Sequence, residues 1–164
     1  MNQLEKFNQI QTFMFDLDGV LTNNRMLVMD SGDLLRQINV RDGYAIEAAI
    51  QRGYLVCIIS GGTSKGIFQI LTELGIKDII PGGKNKVDAY NDLVNNYRLN
   101  EEEILYMGDD LPDYEVMRKV GFPCCPSDAV PEIRELSHYI SHKAGGEGCV
   151  RDVIEKVMKL QGRW

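Results

Sequence analysis

The sequence predicts an α/β fold: a doubly wound (Rossmann-like) parallel sheet with helices on both faces and a β-hairpin inserted after the first strand. Three observations lead there. Short apolar runs alternate with longer amphipathic ones along the whole chain, and the polar clusters follow directly on the apolar runs. The turn-like triplet Ser31-Gly32-Asp33 separates two further β-type segments. In open sheets of this kind ligands bind beyond the carboxyl ends of the strands, so the placement of the polar clusters bears on function.

In chain order, Thr12 to Phe15 leads into a pair of acids as a buried strand. Met26 to Asp30 and Leu34 to Val40 flank the turn and form a hairpin flap over about residues 26–40. Gly43 to Arg52 has helical spacing, with Ala45, Ile46, Ala49 and Ile50 on one side. Tyr54 to Ile59 is rich in β-branched residues and suits a central strand. Thr63 or Ser64 can cap a helix carrying Ile67, Ile70, Leu71 and Leu74, which Gly75 stops. A short strand, Asp78 to Ile80, ends at Pro81-Gly82-Gly83. Val87 to Tyr97 is helical and Ile104 to Met107 is a strand. Pro112 fits the first turn of a helix running to Val120. Gly121 to Cys125, Val130 to Leu136 and Tyr139-Ile140 are expected as strand, helix and short strand. After Gly145-Gly146-Glu147-Gly148 a last helix spans Cys149 to Leu160, within a C-terminal tail of about 145–164.

The chain has 164 residues, no internal repeat and no long linker, so residues 1–164 are expected to form a single domain. Its 24 acidic against 18 basic residues leave a net charge of −6. That balance disfavours nucleic acid or an anionic membrane as partner, because both require a positive footprint. A phosphorylated substrate is still allowed, since a bound cation reverses the sign locally. Cys57, Cys124, Cys125 and Cys149 form no C-x-x-C pair and suit neither a zinc site nor a disulfide framework. No apolar run approaches the roughly 20 residues of a membrane helix. Met1 to Gln11 lacks the apolar core of a signal peptide. A cytoplasmic location is expected. His138 and His142 could pair on a metal, but packing or solvation explains them as well.

Three polar clusters each follow a strand. Asp16-Leu17-Asp18-Gly19 places two acids two residues apart, which in an extended segment project to the same side. Alone, such a pair is ordinarily a solvated surface turn. Directly after a buried strand, repelling carboxylates call for a cation or a shared proton. Ser60-Gly61-Gly62-Thr63 precedes a helix, where glycine amides, a hydroxyl and the helix N-terminus can hold an anion, although the same residues also make a good turn. Gly108-Asp109-Asp110-Leu111-Pro112-Asp113 puts three acids at the start of a helix, as a hard-cation site or as dipole-complementing charges. Lys86 opens a helix between the second and third clusters and by itself reads as a surface charge.

Taken in order, D-x-D-G-V, S-G, K and G-D-D-x-x-D, spread from Asp16 to Asp113, resemble the four phosphotransferase motifs of the haloacid dehalogenase superfamily. The resemblance implies a Mg²⁺-dependent phosphatase working through an aspartyl-phosphate. Asp16 would be nucleophile and metal ligand, and Asp18 general acid and base, ligating the metal through its backbone carbonyl. Asp109 would be the third protein ligand. Ser60, Gly61 and Lys86 would hold the phosphoryl group, with Asp110 and Asp113 orienting Lys86 and metal-bound water. The chemistry agrees: monoester hydrolysis needs accelerations up to about 10²¹-fold, whereas general acid catalysis supplies about 10²–10⁴. Charge neutralisation and positioning must supply the rest.

Only about 40 residues separate Asp18 from Ser60, and the hairpin, one helix and one strand consume them, which leaves no room for a cap domain. Asp16 to Thr22, Asn39-Val40-Arg41-Asp42-Gly43-Tyr44, Gly108 to Leu111 and Gly145 to Gly148 followed by Val150-Arg151 resemble the capless tetrameric sugar-acid phosphatases. That likeness implies a homotetramer whose sites are closed by a neighbour's tail. It also implies a small sugar-phosphate substrate, 3-deoxy-D-manno-octulosonate 8-phosphate of lipopolysaccharide synthesis, with Arg41, Gly145, Gly146 and Glu147 as candidate sugar contacts. Gly62 and Glu147 stand where many eight-carbon enzymes have arginine, so a nine-carbon ketosugar acid 9-phosphate is the alternative, with Lys65 or Arg41 as replacement cations. A dehalogenase has no use for an acid at Asp18, and a mutase needs a cap. A non-catalytic tetramerisation module is the remaining alternative.

Overall fold

The protein, described here from a computed structural model, is defined over residues 2–82 and 85–164. Gly83, at the end of the expected Pro81-Gly82-Gly83 turn, lies outside the described residues. The strands are β1 (Thr12–Phe15), β2 (Leu27–Val28), β3 (Leu34–Leu35), β4 (Leu55–Ile59), β5 (Asp78–Ile80), β6 (Ile104–Met107), β7 (Phe122–Cys125) and β8 (Tyr139–Ile140). The helices are α1 (Gln3–Gln9), α2 (Val40–Gln51), α3 (Lys65–Glu73), α4 (Lys86–Tyr97), α5 (Tyr114–Met117), α6 (Pro131–Leu136) and α7 (Cys149–Leu160).

Among the described residues six strands form one parallel sheet in the order β5-β4-β1-β6-β7-β8, and β2 and β3 pair antiparallel as the hairpin. The chain winds outward from β1 to β5, then returns across β1 to β6 and winds the other way. The reversal therefore falls between β1 and β6, where the helices leaving the two strands diverge and a crevice opens.

Alternation of side chains along each strand builds two cores. Phe13 and Phe15, Val56 and Ile58, Leu105 and Met107 pack on one face against residues of α2, α3 and α7. Met14, Cys57, Ile59, Ile104 and Tyr106 pack on the other against α4, α5 and α6. Burial on both faces explains why these strands read as near-continuous apolar runs. The four cysteines are free and buried in these layers, as the sequence implied.

Three local expectations are revised, and one helix is present that the sequence analysis did not name. The polar N-terminus forms α1, nucleated by a capping box in which the Asn2 side chain accepts from Glu5 N–H and Glu5 accepts from Asn2 N–H, both at 2.9 Å. Phe7 anchors it, its ring 4.4 Å from that of Phe122. α2 starts at Val40 rather than Gly43, because the Asn39 side chain caps Arg41 N–H at 2.9 Å. The helix after Pro112 stops at Met117, and its entry is a 3₁₀ turn, Leu111–Asp113, that turns Asp113 inward. The hairpin strands span two residues each, since no neighbouring strand extends their ladder.

α2 and α7 are joined through Asp42, whose residue exposure is 0%. Gly148 precedes α7 in a left-handed conformation and has no side chain to cap it. Asp42 Oδ1 accepts instead from Arg151 N–H at 2.7 Å, while among the described residues Oδ2 has no hydrogen-bond partner. Burial pushes the Asp42 carboxyl up from 3.8 to about 6, against the pull of the Arg151 amide. A raised carboxyl pKa means the folded protein holds this proton more tightly than the unfolded chain. Its contribution is present below about pH 4 and is lost as pH rises through about 6, on the order of 3 kcal/mol at most. Asp42→Asn keeps an acceptor for Arg151 without the charge. The melting temperature of the variant is thus expected to gain on the wild type between pH 4 and 7; a constant offset would contradict this assignment.

Candidate active site

The carboxyl ends of β1, β4 and β6 converge on a cavity of about 190 Å³ lined by Asp16, Asp18, Asn24, Gly61, Gly62, Lys86, Asp109, Asp110, Pro112 and Asp113. Asp16 leaves β1 with its N–H on the Met107 carbonyl at 3.0 Å, which holds the β1 and β6 ends side by side. Beyond it the chain makes a wide turn closed by Thr22 N–H on the Leu17 carbonyl at 3.0 Å. Gly19 has φ +88° there, and a Cβ on it would lie 2.0 Å from Asp109 Oδ2, so only glycine fits.

Lys86, on the first turn of α4, reaches Asp16 Oδ1 at 2.9 Å and Asp113 Oδ1 at 2.7 Å. Asp113 also accepts from Tyr106 Oη at 2.7 Å and from Asp109 N–H at 3.1 Å. Asn24 donates to Asp109 Oδ2 at 3.1 Å. Ligand oxygens of Asp16, Asp109 and Asp113 all lie within 4.8 Å of one another.

Three buried carboxylates face one ammonium. Burial, then repulsion from Asp113, holds Asp16 well above the usual carboxylate range despite Lys86. Burial, with Asp113 and Asp110, pushes Asp109 up to about 7. Burial alone would lower Lys86, but Asp113 and Asp16 outweigh it and raise its pKa. The excess negative charge and the all-oxygen donor set fit a hard divalent cation. Asp113 spends both its oxygens on Lys86, Tyr106 and the Asp109 amide, which leaves the Asp16 and Asp109 carboxylates as the pair open to such an ion.

The folded chain brings Asp16, Asp109, Asp113 and Lys86 together and opens Asp18 onto the same cavity. Asp18 stands apart from the cluster of three: its carboxylate is held by Arg36, Nε at 2.8 Å and Nη2 at 3.2 Å, and by the Thr22 hydroxyl at 3.3 Å. Ser60 is buried beside the cavity, its hydroxyl 3.0 Å from the Gly62 carbonyl and 3.1 Å from the Gly62 N–H, so it shapes the Gly61-Gly62 loop. Of the two acids expected to orient Lys86 and metal-bound water, Asp113 holds Lys86 at 2.7 Å, while the Asp110 side chain borders the same cavity and caps Leu111 N–H at 2.7 Å.

Gly145 packs onto the catalytic turn so closely that a Cβ would meet the Gly19 carbonyl oxygen at 1.9 Å, and Gly146 N–H donates to the Val20 carbonyl at 2.9 Å. These two glycines brace the turn from behind. Arg41 and Glu147 line a different cavity of about 510 Å³, with Arg151, Lys143 and Lys156. Neither Arg41 nor Glu147 lines the cavity that holds the carboxylate cluster. Neither histidine belongs to that cluster: His142 lies 3.6 Å from Asp152, and His138 sits beside Lys6 and Phe122. Sequence reasoning missed Arg36, Asn24 and Tyr106. Tyr106 carried a signal, because a buried tyrosine hydroxyl at a strand end requires a partner.

Among the described residues no helix is long and apolar enough to cross a membrane. Residues 75–154 match the haloacid dehalogenase-like hydrolase family model. The chain is 36% identical over 160 residues to 3-deoxy-D-manno-octulosonate 8-phosphate phosphatase KdsC of Salmonella typhi, covering 98% of this chain and 85% of that one. It superposes on the Yersinia pestis 3-deoxy-D-manno-octulosonate 8-phosphate phosphatase with a TM-score of 0.94 at 32% identity, covering 98% and 86% of the two chains. For the Moraxella catarrhalis 3-deoxy-D-manno-octulosonate 8-phosphate phosphatase, solved with magnesium, phosphate and KDO, the TM-score is 0.92 at 33% identity, covering 97% and 91%. With the motif acids gathered at the β1–β6 crevice and these likenesses running nearly end to end, the chain belongs to the haloacid dehalogenase-like hydrolases, in the family of the 3-deoxy-D-manno-octulosonate 8-phosphate phosphatases.

Proposed function

We propose that the protein hydrolyses a sugar-acid phosphate monoester with Mg²⁺, namely 3-deoxy-D-manno-octulosonate 8-phosphate, releasing the free sugar acid and phosphate. The observation that carries this reading is the buried Asp16–Lys86–Asp113–Asp109 cluster at the mouth of the sheet. Asp16 and Asp109 are the carboxylates that would hold the ion, with the Asp18 main-chain carbonyl as the third protein ligand. Bound there, Mg²⁺ supplies charge neutralisation at the phosphoryl oxygens. Lys86 and Gly61 line the same cavity and would hold the phosphoryl oxygens, and Asp113, itself held by the Tyr106 hydroxyl, fixes the Lys86 ammonium in place.

Asp16 Oδ attacks phosphorus, a P–O bond to Asp16 forms, and the P–O bond to the sugar breaks as Asp18 gives its proton to the leaving oxygen. Water then attacks the aspartyl-phosphate. Asp18 takes the proton of that water, and phosphate leaves with Asp16 restored. The test is steady-state turnover of eight- and nine-carbon sugar-acid phosphates with and without Mg²⁺. Metal-dependent preference for the eight-carbon ester is expected; no preference for either ester over simple phosphate esters would remove the assignment.

The protein acts as a homotetramer in the cytoplasm on this reading. Supporting the assembly, Met26, Leu27, Val28, Leu34 and Leu35 of the hairpin are all exposed, with Val28 at 68%. A contiguous apolar flap of this kind is a surface to be covered, and a second copy of the hairpin offers its matching edge. Val28→Asp combined with Leu35→Asp is expected to lower the particle mass to that of a monomer in light scattering. An unchanged mass would place the interface elsewhere.

A further inference from the structure

Proton transfer to the leaving oxygen asks more of Asp18 than a place on the cavity wall: one particular carboxyl oxygen has to face the ester. The Asp18 side chain is 29% exposed and lines the cavity, whereas Arg36 does not line it and its side chain is only 6% exposed. The guanidinium meets the carboxylate edge to edge, with Nε on Oδ1 at 2.8 Å and Nη2 on Oδ2 at 3.2 Å. Two parallel bonds of this kind fix the plane of a carboxylate as well as its place. Oδ1 takes a second donor, the Thr22 hydroxyl at 3.3 Å. That hydroxyl accepts from Gly19 N–H at 3.2 Å and from Asn24 N–H at 3.4 Å, which fills its lone pairs and turns its proton toward Asp18.

We propose that Arg36 is the positioning residue for proton transfer: by holding Asp18 in this plane it keeps Oδ1 occupied and presents Oδ2 to the ester oxygen. The inference rests on the phosphatase reading. A carboxylate offers about four lone-pair sites. Two on Oδ1 and one on Oδ2 are taken, so Oδ2 alone keeps a site for the proton. Oδ2 also lies on the side of Gly62, which lines the cavity, since a Cβ on Gly62 would stand 3.4 Å from it. As the P–O bond to the sugar breaks, its electron pair stays on the sugar oxygen and the Oδ2 proton moves there. Asp18 is left as the carboxylate that the guanidinium fork already fits. Arg36 acts through Asp18 and touches no reacting atom. Lysine in its place would carry the charge without the fork and leave the carboxyl plane free to turn.

The experiment compares kcat/KM for 3-deoxy-D-manno-octulosonate 8-phosphate with that for p-nitrophenyl phosphate in the wild type, Arg36→Lys and Arg36→Met. The sugar would leave as an alkoxide and needs the proton, whereas p-nitrophenolate leaves without one. Because kcat/KM covers only the steps through departure of the leaving group, the later attack of water does not enter. Arg36→Met is expected to lower the value for the sugar ester by roughly 10²-fold, the cost of a misplaced catalytic group, and that for p-nitrophenyl phosphate far less. Arg36→Lys is expected to fall between the wild type and Arg36→Met on the sugar ester. A loss of folding or of general site integrity would instead lower both esters together. A ratio of the two values that stays at that of the wild type in both variants overturns the positioning role and leaves the phosphatase reading intact. If Arg36→Met does not fold, the ratio in Arg36→Lys decides. A wild type that hydrolyses p-nitrophenyl phosphate but not the sugar ester overturns both.

Discussion

Asp16→Asn is expected to abolish turnover, by roughly 10⁴-fold or more, while the metal-free protein becomes more stable. Losing a covalent nucleophile from a constellation that acts as a unit typically costs 10⁴–10⁶. The stability gain has a separate cause. In the absence of a cation, Asp16, Asp109 and Asp113 crowd one ammonium, and burial holds Asp16 well above its usual range. The amide removes one buried negative charge and still leaves Lys86 its 2.7 Å contact with Asp113. The melting temperature without metal should therefore rise, and the increment that Mg²⁺ confers on the wild type should shrink, because a ligand stabilises only through the affinity it has for the folded form. Turnover within tenfold of wild type would remove Asp16 as nucleophile. An unchanged Mg²⁺ increment would show that the ion binds elsewhere.

Lys86→Met tests the same cluster from the other side and should do the reverse to stability. Breaking a buried pair by deleting one partner costs about 3–5 kcal/mol, since the remaining charges stay uncompensated. Here two partners are stranded, Asp16 and Asp113. A fall in melting temperature on the order of 10 °C is expected without metal, and a smaller one at saturating Mg²⁺, which supplies the missing positive charge. Turnover should fall by about 10²–10³, the range for removing one preorganised charge from a transition state. Calorimetry across a Mg²⁺ titration measures the first effect and initial rates the second. Equal destabilisation with and without Mg²⁺ would mean that lysine and ion do not share these carboxylates.

Much of the architecture could be read from local pattern. The strands at Thr12–Phe15, Asp78–Ile80 and Ile104–Met107 and the helix Cys149–Leu160 lie where expected, because burial on both faces of a parallel sheet writes an apolar run into the sequence and amphipathic helices write a 3.6-residue period. The elements that were missed or misplaced lack such a signature. α1 is polar on its surface and is held by a capping box and a single phenylalanine. The start of α2 is obscured by a β-branched Val40 and by Gly43, and the hairpin strands have no sheet neighbour to lengthen them.

The candidate site divides the same way. Asp16, Asp18, Lys86, Asp109 and Asp113 were named through the resemblance that their ordered motifs carry, with Lys86 by itself reading as a surface charge, and a parallel sheet carries its strand ends to one edge. Which carboxylate takes which partner is a matter of distances that no spacing encodes. Asp113 rather than Asp110 holds Lys86, because the 3₁₀ turn at Leu111 rotates one acid inward and leaves the other as a cap. Asp18 meets an arginine 18 positions away on the hairpin, and Asp42 caps a helix 109 residues downstream. Sequence carries the periodicities that burial imposes; the pairing of charges is set by where the packed chain brings its loops together, since a buried charge takes its partner from whatever lies within a few ångströms.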